Sequence, residues 1–108
     1  MEHKRWYDQY PNLKSLIVLL ESLDDYTLNL VAQDFLQITL EKYRPKFDVV
    51  IKYLNDNPPP RFSRWYDNNY NLHTCIEFVR MLEDEEREDL VNSYIAALIG
   101  YIKNIDNE

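Results

Sequence analysis

Leu13, Leu16, Ile17, Leu20 and Leu23 recur at the i, i+3, i+4, i+7 and i+10 positions of one helical face. The spacing predicts a helix from about residue 11 to residue 23. Pro11 suits its first turn, where a missing N–H leaves no bond unmade, and Asp8 or Asn12 is placed to cap nearby amides. Asp24 and Asp25 interrupt the stripe and stand ready to cap a second helix carrying Leu28, Val31, Ala32, Phe35, Leu36, Ile38 and Leu40. Arg44-Pro45 disfavours further helical backbone, so this helix is expected to end near residue 43.

Phe47, Val50, Ile51 and Leu54 then imply a short linking helix that begins near Pro45. Asn55-Asp56-Asn57-Pro58-Pro59-Pro60 reads as a stiff extended connector. Beyond it, Leu72, Cys75, Ile76, Val79 and Leu82 form another stripe, followed by Glu83-Asp84-Glu85-Glu86 as a turn. A closing helix presents Leu90, Val91, Tyr94, Ile95, Leu98, Tyr101 and Ile102. Acidic residues crowd its start, where unpaired amides favour negative charge without any need for a metal.

The two stripes are related. Arg5-Trp6-Tyr7-Asp8 recurs as Arg64-Trp65-Tyr66-Asp67, an offset of 59 residues. In the same register Asn12 matches Asn71, Leu13 matches Leu72, Ile17 matches Ile76, Leu23 matches Leu82 and Asp25 matches Asp84. Apolar pairs continue the phase: Leu16 with Cys75, Leu19 with Phe78, Leu20 with Val79, Val31 with Leu90 and Phe35 with Tyr94. A repeat unit is one supersecondary element that buries its face against its copy, so two copies suggest pseudo-two-fold packing. The expected fold is all-α and bundle-like, with two duplicated helical hairpins supplying four main helices plus the linking helix. It forms one domain over 1–108, with repeat 1 over about 5–43, linker and connector over 45–63, and repeat 2 over about 64–104.

Composition narrows function more by exclusion than by assignment. Of the 108 residues, 45% are hydrophobic, too many for a disordered chain. Gly100 is the single glycine, which excludes a glycine-rich phosphate loop, a dinucleotide fingerprint and a nucleophile elbow. A net charge of −7 opposes a phosphate backbone, so nucleic acid is disfavoured as a partner. Cys75 is the sole cysteine, which leaves no internal disulfide. With no cleavable apolar start, and with Leu16 to Leu20 far short of the roughly 20 residues that cross a bilayer, a cytoplasmic location and no membrane association are expected.

No catalytic or metal site assembles from these residues, and no cofactor is expected. Glu83 with Glu86, or Glu85 with Glu88, supplies half of the paired Glu-x-x-Glu arrangement of all-helical magnesium hydrolases, but no second pair follows. His73 and Cys75, two residues apart, point about 200° apart on a helix and share no metal. Cys75 takes the place of Leu16 and reads as a small buried apolar residue. The Arg-Trp-Tyr-Asp motif has two readings. A tryptophan before a helix packs over the hairpin it introduces, or the aromatic and arginine side chains form a binding hot spot. The hot-spot residues are Arg5, Trp6, Tyr7, Arg61, Arg64, Trp65 and Tyr66. The expected function is a non-catalytic interaction module, not an enzyme, that binds another protein or a second copy of itself. The alternative is an acidic inhibitor of the immunity or antitoxin kind that occupies a basic protein site.

Overall fold

The computed structural model describes residues 6–56 and 69–106. A 3-10 turn, Trp6–Gln9, leads into α1 (Pro11–Glu21), α2 (Asp25–Asp56), α3 (Tyr70–Met81) and α4 (Asp84–Asp106). The result is an all-α globule in which the helices begin where sequence chemistry places them. Pro11 opens α1. The N-cap residue is Tyr10, whose side chain makes no cap bond. Asp8 lies 3.9 Å from the ammonium group of Lys14, in the first turn of α1. At the start of α2 the Asp24 carboxylate accepts the Thr27 N–H at 2.7 Å, which holds its carboxyl below the usual value. Asn69 does the same for α3, accepting from the Leu72 N–H at 3.1 Å.

Helical backbone extends to Asp56, but α2 is two helices joined across a kink: Tyr43 has non-helical φ/ψ, so the first of them ends near residue 43 as expected and the linking helix follows it. Pro45 removes one i to i−4 bond and its ring crowds the carbonyl four residues back, and the backbone absorbs this as a kink at Tyr43 (φ −137°, ψ 32°). Tertiary contacts hold both sides of the kink. The Tyr43 hydroxyl donates to Asp89 at 3.0 Å, Lys46 pairs with Glu86 at 2.7 Å, and the Phe47 ring lies 5.4 Å from that of Phe78. One boundary differs from expectation, the 83–86 stretch, expected as a turn. Helix α4 already begins at Asp84, with Asp84, Glu85 and Glu86 in its first turn against the positive end of the helix dipole.

The helices pack across the hairpins more than within them. Helix α3 lies mainly against α2, and α1 against α4 rather than against α2, to which a short turn joins it. Between them sits a core of Leu13, Leu16, Ile17, Leu20, Val31, Phe35, Leu72, Cys75, Val79, Leu90, Tyr94 and Leu98, all buried. The rings of Phe35 and Tyr94 stack at its centre, 4.2 Å apart and 5° from parallel. Among the described residues no helix is long and apolar enough to cross a membrane.

Candidate functional site

The 3-10 turn places the first Arg-Trp-Tyr-Asp motif against the start of α1. Tyr7 is buried, whereas Trp6 is half-buried and meets the rings of Tyr7 and Tyr10 edge-on, with centroids 5.7 and 6.4 Å away. The Arg80 guanidinium of α3 lies 5.4 Å above the Trp6 ring, so the indole ties the chain start to the third helix. Its Nε1–H is buried and meets no acceptor among the described residues. Arg5, Arg61, Arg64, Trp65 and Tyr66, the other residues of the expected hot spot, lie outside the described residues.

Arg87 carries a role that the sequence pattern did not single out. It is buried, and its guanidinium donates to the carbonyls of Val79 (3.1 Å), Arg80 (3.4 Å) and Leu82 and to the Asp84 carboxylate at 2.6 Å. Those carbonyls belong to the end of α3, where helical partners run out, so Arg87 closes α3 from the first turn of α4. The Tyr10 ring covers the guanidinium at 4.4 Å. The available signal was a charge out of phase, since Leu28 stands at the matching position 59 residues earlier.

Beside Arg87, the start of α1 and the first turns of α4 enclose an open cleft of about 340 Å³, lined by Tyr10, Pro11, Asn12, Leu13, Asp84, Arg87, Glu88 and Val91. The matching residues of α3 and α2 meet differently. Asn69, opposite number of Tyr10, donates from Nδ2 to Oδ1 of Asn29, opposite number of Glu88, at 2.6 Å.

A second surface lies toward the other end of α1. Only the stripe Leu13, Leu16, Ile17 and Leu20 of α1 is buried, and Val18 and Leu19 are 52% and 42% exposed. Helix α3 buries Thr74 to Val79 without a break. Phe78, which matches Leu19, has no exposed surface because Tyr43 and Phe47 of α2 cover it.

The remaining reactive groups are used internally. Thr39 hydrogen-bonds the Tyr94 hydroxyl, donates to the Phe35 carbonyl at 2.8 Å and touches the Cys75 sulfur at 4.0 Å. Burial pushes the Cys75 thiol up to about 11 and the Tyr94 hydroxyl well above its ordinary value, which disfavours a reactive thiolate. On α4, Glu86 pairs with Lys46, and Asp89 accepts from Lys42 (3.4 Å) and Tyr43. Loss of solvation, with Asp89 next in effect, raises the Tyr43 hydroxyl to about 12. Among the described residues no three histidine, cysteine, aspartate or glutamate side chains converge as metal ligands. No protein-family model, curated protein or solved structure matches the chain.

Proposed function

We propose that this chain is a non-catalytic interaction protein, built by duplication of a helical hairpin, that binds another protein or a second copy of itself through the outer face of α1. The duplication is supported by the helix starts at residues 11 and 70 and at 25 and 84, both pairs 59 apart like the sequence match. It is also supported by the stacking of Phe35 on Tyr94. These are matched positions, and a residue stacks on its own counterpart where a local two-fold axis passes between them.

The observation that carries the binding reading is the pair Val18 and Leu19. Within one molecule the matching face of α3 is covered by an aromatic stretch of helix, whereas this face has no such cover among the described residues. An apolar partner helix would gain there what Phe47 gains on Phe78, about 2 kcal/mol per large side chain removed from water. The acidic-inhibitor alternative has less support. Asp84, Glu86 and Asp89, at the start of α4, are each already paired, with Arg87, Lys46 and Lys42, which reduces the charge they offer a basic partner.

Capture of the tagged chain from its host tests the reading, with Leu19→Asp run alongside. The expected result is a stoichiometric partner, or self-association, that survives about 0.5 M salt because apolar contact is not screened, and that is lost in Leu19→Asp. A complex that dissolves in salt and ignores Leu19→Asp would replace this reading with the charge-driven one.

A further inference from the structure

The cleft at the start of α1 is the second place where the two matched halves differ, and its chemistry selects a class of occupant. Its floor and walls are apolar, formed by Leu13, Val91, Pro11 and the Tyr10 ring, which favours an occupant with a hydrocarbon stem. Its charge is carried by Asp84, Arg87 and Glu88. Arg87 has little to offer an anion, because four of its five N–H groups are committed to the carbonyls that end α3 and to Asp84. Asp84 is correspondingly shared. Glu88 is exposed and forms no ion pair among the described residues, so the cleft carries two carboxylates against one guanidinium and its balance of charge is negative. The matched position does not repeat this arrangement, since Asn29 and Asn69 bond to each other there. The opening therefore comes from Tyr10 and Glu88, not from the helical packing common to both halves.

We infer that this cleft receives an arginine side chain presented by a partner protein, with the aliphatic stem on Leu13, Pro11 and Val91 and the guanidinium at the Glu88 carboxylate. Arginine fits better than lysine because its planar cation is weakly hydrated and lies flat on apolar and aromatic walls while still reaching a carboxylate with two N–H groups. This inference rests on the reading of the chain as an interaction protein and adds a charged contact to the apolar one on α1. A small probe needs no partner, so its failure is separate from failure of the capture experiment.

The test is a titration of the isotope-labelled full chain, followed by amide chemical shifts, with Nα-acetyl-arginine amide and with its neutral isostere Nα-acetyl-citrulline amide. The expected result is saturable shifts confined to Asn12, Leu13, Glu88 and Val91, with the arginine probe binding about 10-fold more tightly than the citrulline probe. Glu88→Gln is expected to erase that difference, and Glu85→Gln, an exposed change outside the cleft, to leave it intact. Equal binding of the two probes, shifts spread over the acidic surface, or no shift with either probe overturns the inference.

Discussion

Helices α1 and α3 start from nearly the same apolar stripe and end in different surroundings. Leu13, Leu16, Ile17 and Leu20 match Leu72, Cys75, Ile76 and Val79, and all eight are buried. The difference lies on the opposite side. Helix α3 has Phe78 and Glu77 covered as well, whereas the matching Leu19 and Val18 of α1 face outward. For Phe78 the cover comes from Tyr43 and from the part of α2 beyond its kink, which lays Phe47 over the ring. Equal stripes set which face of each helix enters the core, and an extension outside the matched pattern decides which helix keeps a second apolar face exposed.

This contrast breaks or sharpens under substitution. The largest effect is expected at Phe78→Ala, about 3–5 kcal/mol of stability lost, against a change within about 0.5 kcal/mol for Leu19→Ala, both read by denaturant unfolding. Similar losses at the two positions would mean that α1 is as well covered as α3. Arg87→Met is expected to cost about 2–4 kcal/mol because buried carbonyls of α3 lose their donors, whereas Leu28→Met, at the matched position, costs under about 1.5 kcal/mol. Thr39→Val removes a buried partner of Tyr94 and is expected to cost about 1–2 kcal/mol, measured the same way.

A smaller effect appears at alkaline pH. The thiol of Cys75 is raised from 9.0 to about 11 in the folded chain, so its protonated form is favoured by folding. That contribution is whole below pH 9 and is lost as pH rises toward 11. Tyr43, raised from 10.0 to about 12, acts in the same direction in a higher window. Melting temperature is therefore expected to fall above pH 9, with Cys75→Ala flattening the first part of the decline and leaving the part due to the raised tyrosines Tyr43, Tyr94 and Tyr101. An unchanged slope in Cys75→Ala would show that the thiol is not where burial places it.

Much of the helical framework was legible because it depends on local chemistry. The stripe of α1, Pro11 at its start and the Asp24 cap of α2 all follow from neighbours in sequence. Pro45 was equally legible, since the backbone leaves helical geometry at Tyr43, where the break was expected. What local chemistry did not show is that Tyr43, Lys46 and Phe47 find partners on α3 and α4, which no local pattern announces. Arg87 was hidden for the same reason, since a charged residue in an acidic first turn reads as solvated surface until the end of α3 is seen beside it. The cleft depends on a difference between Tyr10 and Asn69 and between Glu88 and Asn29, which gains meaning only when α1 is found against α4 and α3 against α2. Of the aromatic motif, Trp6 and Tyr7 proved to be packed to different depths, a distinction that periodicity does not carry.

The central claim is that the outer face of α1 is where a partner sits, and a photo-crosslinking side chain placed at Val18 tests it most directly. Irradiation in the host is expected to join position 18 to one discrete partner or to a second copy of the chain, while the same group at Gln33, an exposed polar site on α2, gives none. Equal labelling from both positions, or no adduct from position 18, would contradict the account.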